Sequence, residues 1–194
     1  MGQYYKPVSL EKQEGIYSHD YKNRWVNSNG EIMLMGNGLK LMEHSWIGNS
    51  FVGAVEMLIA EGGDWYGDRI VWAGDYADPE PETEQNLYSI CKTVKKRHTK
   101  VKGFRYIINL ETKEFVDKRK VPVDHIYTDK NGKEWKSRIH PLPLLTCEGN
   151  GRGGGDYHEE NPLIGSWAGN RITVSKQKPS NEFTELNFDL VEHR

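Results

Sequence analysis

Trp-x-Gly-Asn/Asp occurs four times in 194 residues, as Trp46-Ile47-Gly48-Asn49, Trp65-Tyr66-Gly67-Asp68, Trp167-Ala168-Gly169-Asn170 and, inside an apolar run, Trp72-Ala73-Gly74-Asp75; the first three are the turn candidates. The second and third copies agree further, continuing into Arg69-Ile70 and Arg171-Ile172. A large ring that favours burial, followed by the residue type that takes positive φ without strain, describes an aromatic anchor beside a tight turn. The apolar residues that follow can leave the turn as a strand. Each copy is therefore either a packing corner or the wall of a site. Their repeated chemistry leads to the expectation that at least two of them converge on one concavity with the glycine-rich segment at 149–155.

Strand signals dominate the rest of the chain. Asn29-Gly30 lies between Trp25-Val26 and Ile32-Met33-Leu34, and Asn131-Gly132 between Ile126-Tyr127 and Trp135. Both dipeptides favour the tight turns of β-hairpins. Phe104, Tyr106, Ile108 and Leu110 alternate at period two before Phe115-Val116 returns, giving a third hairpin. A fourth is expected between Ile172-Thr173-Val174 and Phe183 to Leu190. Two helices are expected as well. In the first, Phe51, Val55, Leu58 and Ile59 form a stripe that Asn49 or Ser50 caps and Gly62-Gly63 ends. In the second, from Pro81 to about Lys96, the stripe is Leu87, Ile90, Cys91 and Val94. Hairpins with two interposed helices and no regular βαβ alternation predict an α+β fold, mainly antiparallel sheet. The length suits a single domain over 1–194, with the acidic, proline-stiffened stretch near 78–84 as an exposed loop.

Composition narrows the partners. With 26 basic against 28 acidic residues, nothing points to a duplex nucleic-acid partner. The run Lys95-Lys96-Arg97-His98 reads more simply as a solvated helix end than as a phosphate-contacting patch. No segment approaches the roughly 18 apolar residues of a membrane span, and the N-terminus lacks a signal-peptide pattern, so a cytoplasmic protein without a membrane partner is expected. Cys91 and Cys147 have neither CxxC spacing nor the numbers for a disulfide framework. Cys91 reads as core, and Cys147 beside Glu148 as a poor nucleophile. Cofactor and oligomeric state are not legible.

Several segments can carry chemistry. Gly149 to Gly155 holds five glycines in seven positions around Arg152, and residues 148–160 hold four acids against that one arginine. Such a segment suits a ribose, a base edge, a cation or a guanidinium better than an unassisted polyphosphate; the alternative is a surface loop. His140, before two prolines expected to hold the backbone extended, and Glu148 are candidates to flank one pocket as an acid/base pair. In Gly38 to Trp46, alternation would turn Lys40 away from the core, while His44 and Ser45 stand near a helix N-terminus that attracts anions. The competing reading is that His44 only satisfies an orphan amide. Asp75, beyond a strand from Arg69 to Trp72, is a loop carboxylate suited to function or to closing an Asx turn. A metal site from His19, Asp20, His44 and Asp75 lacks any recognised ligand spacing, so no metal is assigned. The candidate catalytic set is thus His44, Asp75, His140 and Glu148; the candidate ligand-binding set is Lys40, Trp46, Arg69, Trp72, Arg152, Asp156 and Trp167.

The chain also resembles a family of proteins from bacteriophages and their bacterial hosts, with distant fungal relatives and no established activity. The resemblance rests on Met1 to Tyr5, Gly38 to Asn49, Val71 to Asp78, His140 to Asp156 and Gly165 to Gly169. It implies a setting such as counter-defence and no particular reaction. Together these readings favour a small-molecule binding protein that sequesters a nucleotide-like ligand, with Trp rings stacking the base. The alternatives are a hydrolase or phosphodiesterase acting on a nucleotide, and an inhibitor that binds a host protein through an exposed aromatic face.

Overall fold

The computed structural model describes residues 3–26, 31–96, 103–128, 132–149 and 161–190. Its strands are β1 (Tyr5–Ser9), β2 (Glu14–Gly15), β3 (Lys22–Val26), β4 (Ile32–Gly36), β5 (Arg69–Gly74), β6 (Lys92–Thr93), β7 (Tyr106–Asn109), β8 (Glu114–Asp117), β9 (His125–Thr128), β10 (Glu134–Ser137), β11 (Cys147–Glu148), β12 (Asn170–Ser175) and β13 (Thr184–Glu185). The helices are α1 (Leu41–His44), α2 (Ser50–Ile59), α3 (Leu87–Ile90) and α4 (Pro141–Thr146). Nine strands form one mixed, mostly antiparallel sheet in the order β13-β8-β7-β12-β5-β1-β2-β6, with β11 added beside β5. The pairs β3-β4 and β9-β10 stand apart as separate two-stranded hairpins. The architecture is α+β and sheet-dominated, as the strand signals predict.

β5 is central because its sequence allows burial on both faces. Ile70 and Trp72 join a core with Tyr5, Ile107, Ile172, the apolar stripe of α2 and the leucines of α4. Val71 and Ala73 face the other way, onto Val8 and Cys91. Phe51, Val52, Val55, Leu58 and Ile59 are fully buried, each contributing roughly 1.5–3 kcal/mol on burial. Asn49 starts α2 by accepting hydrogen bonds from Phe51 N (2.9 Å) and Val52 N (3.3 Å), and Gly62, at φ +81°, follows its end. No helix among the described residues is long and apolar enough to cross a membrane.

Three expectations change. The helix from Pro81 to Lys96 shrinks to the four residues of α3, because the free edge of β2 captures Lys92 and Thr93 as β6. Residues 78–84 do form an exposed loop, apart from half-buried Glu80. Ile172–Val174 does not pair with 183–190, since these residues pair with β7 while Asn170 and Arg171 of the same strand pair with β5. β13 pairs with β8 in parallel instead. The segment His140-Pro141-Leu142-Pro143 is not extended: Pro141 opens α4, where a first-turn proline forfeits no helical hydrogen bond, and His140 is its cap. The other three hairpins pair antiparallel as expected.

Candidate functional site

Three of the four Trp-x-Gly segments are the same turn, while Trp72 to Gly74 is the end of strand β5. In each turn, the Trp carbonyl accepts from the amide three residues on, at 3.0 Å from Asn49, 3.0 Å from Asp68 and 3.1 Å from Asn170. Gly48, Gly67 and Gly169 take φ +98°, +82° and +76°, as a type II turn requires at its third position. The two longer copies meet, for Arg171 is the register partner of Arg69 and Asn170 of Ile70. Glu11 offsets the facing like charges, with contacts of 2.9 Å to Arg69 and 3.1 Å to Arg171. Arg69 is thereby a structural ion-pair partner.

The rings of those two copies make no ligand wall. Trp65, Trp72 and Trp167 are fully buried, and their indole N–H groups donate to Glu14 (2.8 Å), His44 (2.9 Å) and Glu114 (3.0 Å). The expected base-stacking role of Trp72 and Trp167 is therefore corrected to that of hydrogen-bonded core. Trp46 alone of the candidate tryptophans is only half-buried. Arg152, Asp156 and the glycine-rich segment from 150 onward lie outside the described residues, as do Arg97 and His98.

The proposed catalytic set is dispersed. His44 closes α1, stacked on Trp72 and edge-on to Phe51, with no exposure. Because indole N–H can only donate, His44 Nε2 must accept from Trp72; Nδ1 then carries the proton and donates to the Gly38 carbonyl at 3.1 Å. Burial lowers its pKa to about 4, partly opposed by the Gly38 bond, so it stays neutral. The anion site expected beside it is absent: the first amides of α2 are taken by Asn23 and Asn49. Lys40 is extended and bridged to Tyr4, and it caps α1 through its backbone N–H to Glu43; the expected alternation stops there, because the helix begins at Leu41. Asp75 accepts from Tyr4 N at 2.9 Å and so ties the start of the chain to the turn after β5, which the backbone bond from Ala77 N to the Gly74 carbonyl closes. Glu148 lies in β11 beside Ala73, at the far end of α4 from His140. That helix alone spans about 9 Å at the usual rise per residue, so the two do not form the expected acid/base pair. Among the described residues, no three His, Cys, Asp or Glu side chains are grouped to hold a metal. Cys147 is buried, which pushes its thiol up to about 12, the direction expected of a poor nucleophile.

His140 belongs to a different constellation. Its Nδ1 accepts from Leu142 N (3.2 Å), so Nε2 carries the proton and donates to Glu56 Oε1 (3.3 Å). The Lys118 ammonium contacts the same oxygen. Burial lowers the pKa of His140 and opposes charge on Glu56, yet hydrogen bonds from His140 and Lys118 hold the Glu56 carboxyl below its ordinary value. The triad forms the floor of a cleft of about 520 Å³. One wall is the flank of α2, where Ser50, Gly53 and Glu56 recur at i, i+3 while the apolar stripe faces the core. The other walls bring Phe104, Arg105, Arg119 and Arg138. Asp117 grips Arg105 through two bonds of 2.9 and 2.5 Å. Arg119 and Arg138 have no carboxylate partner among the described residues, nor does the buried Nε of Arg138 have any hydrogen-bond partner among them.

Four cations thus line a cleft whose one lining carboxylate is Glu56. Its volume falls within the usual range for small-molecule sites. Such a cleft can receive a phosphate or carboxylate. The sequence reading missed Glu56, Lys118, Arg119 and Arg138, which come from three stretches of chain; the one available signal was Glu56, the lone charge in the apolar run Ser50 to Ala60. Neither a protein-family model nor a curated protein nor a solved structure matches this chain.

Proposed function

We propose that this protein binds and retains a small anionic, nucleotide-like molecule in the cleft over α2. The observation that carries the reading is Arg138, whose buried Nε has no hydrogen-bond partner among the described residues, in a cleft where Arg119 likewise has no carboxylate partner among them. A buried guanidinium N–H left unsatisfied costs free energy that an incoming phosphate or carboxylate oxygen would recover. Retention suits the site better than turnover, because both ring nitrogens of His44 and of His140 already hold partners and neither is free to take a substrate proton. Sequestration of a nucleotide signal would fit the phage-type resemblance of the sequence.

The test is titration with nucleoside monophosphates, cyclic dinucleotides and ADP-ribose, read by calorimetry and by the melting temperature. At least one should bind, and Arg138→Met should weaken it roughly ten- to hundredfold, the value of a charged hydrogen bond. Flat response across the panel by folded protein would sink the proposal. It would favour the second reading, inhibition of another protein, for which the specific observation is the exposed run Ile32, Met33, Leu34 and Met35 in β4.

A further inference from the structure

Ile47 lines the cleft and also a neighbouring hollow. This second hollow, of about 330 Å³, is lined by Trp46, Ile47, Tyr127, Trp135, Lys136 and Ser137. The backbone explains why the two adjoin. Trp46 bridges Ile139, Ile47 N donates to the Arg138 carbonyl at 2.9 Å, and β10 leads directly into Arg138. The same two segments, 46–47 and 136–138, therefore supply the aromatic hollow and the arginine side of the cleft.

The aromatic side of the hollow is not explained by packing. Tyr127 and Trp135 are register partners across the β9-β10 hairpin, with rings 5.5 Å apart and inclined by 15°. They nevertheless remain 37% and 41% exposed, on a hairpin that belongs to neither core face of the sheet. A two-stranded hairpin without a core beneath it is marginal, and cross-strand stacking helps to hold it. Such stacking leaves ring surface facing the hollow beside Trp46. A planar, apolar-faced group is the complement of that surface, and the cationic cleft next to it requires that the group be joined to an anion.

We propose that this hollow is a base subsite: a purine ring stacks against the Trp46, Tyr127 and Trp135 surface while the phosphate of the same molecule reaches Arg138 and Arg119. The inference rests on the anion-binding reading of the cleft and specifies its ligand as a purine nucleoside monophosphate. It assigns binding to Tyr127 and Trp135 and leaves the three buried tryptophans to the core.

The experiment compares AMP, ribose 5-phosphate and adenosine on wild-type protein, Trp135→Ala, Trp135→Phe and Arg138→Met, by calorimetry. Ribose 5-phosphate should bind weakly and equally to wild type and Trp135→Ala, which also shows that the cleft stays folded in the variant. AMP should lose roughly five- to hundredfold in Trp135→Ala, the range for losing one base-stacking ring, with much of it restored in Trp135→Phe. AMP binding that depends on Arg138 but is unchanged in Trp135→Ala would overturn the base subsite and leave the anion site standing. Failure of AMP and ribose 5-phosphate alike to bind wild type would overturn the subsite, and the anion reading falls with it only if cyclic dinucleotides and ADP-ribose give a flat response as well.

Discussion

His44 and His140 are both buried and both neutral, yet they hold opposite tautomers and serve opposite surroundings. An indole N–H donating to Nε2 leaves the proton of His44 on Nδ1; a backbone N–H donating to Nδ1 leaves that of His140 on Nε2. Around His44 the partners are Trp72, Phe51 and a carbonyl, so the ring is sealed in an uncharged core. Around His140 they are Glu56 and Lys118, and the cleft opens above. A histidine's tautomer and role are set by whichever donor faces it, and sequence context alone does not identify that donor.

The largest effect should come from breaking the charged side of this contrast. Glu56→Ala leaves the Lys118 ammonium and the His140 N–H without their shared acceptor, at a cost of about 3–5 kcal/mol by precedent for broken buried pairs. Urea denaturation measures it. A loss below about 1 kcal/mol would mean that the cleft solvates the triad and that His140 is no more enclosed than a surface group.

Acid sharpens the contrast next. An unfolded His44 titrates near 6.5 and the folded one near 4. As pH falls through that interval the unfolded chain takes up a proton that the fold refuses. Stability present above pH 6.5 is therefore lost toward pH 4, by about 3 kcal/mol. His140, also lowered, adds to the same slope, whereas the contribution of Glu56 persists down to its unfolded value of 4.5 and is lost only below it. His44→Gln, which keeps an acceptor for Trp72, should flatten the curve between pH 6.5 and 4.5. An unchanged slope in that variant would assign the acid sensitivity elsewhere.

The smallest of the three effects is expected in the uncharged region. Trp72→Phe removes the donor to His44 Nε2, which should cost about 1–3 kcal/mol by thermal unfolding and relax the tautomer seen in the ring-nitrogen chemical shifts. Nitrogen shifts that still report a proton on Nδ1 alone would show that the Gly38 bond suffices to select it.

How far these sites were legible follows from how local their causes are. The Gly48, Gly67 and Gly169 turns, the α2 stripe with its Asn49 cap, and three of the hairpins depend on residues within a few positions of one another, and each is readable from spacing. The helix from Pro81 failed because β2 supplies a pairing edge from far along the chain. Trp72 and Trp167 passed for ligand residues because a buried indole and an exposed one have the same sequence context. Lys118 and Glu56 are 62 positions apart, and their contact has no signature in either neighbourhood.

The sequence by itself therefore determined the turns, the strand-rich α+β class and the start of α2, since these are set by φ preferences, side-chain period and capping. Only the tertiary structure decided that β12 lies between β5 and β7, that His44 is sealed while His140 borders a cleft, and that Arg119 and Arg138 face it without carboxylate partners among the described residues. Those outcomes depend on which distant segments compete for the same edge or the same buried polar atom, a competition resolved when the whole chain packs.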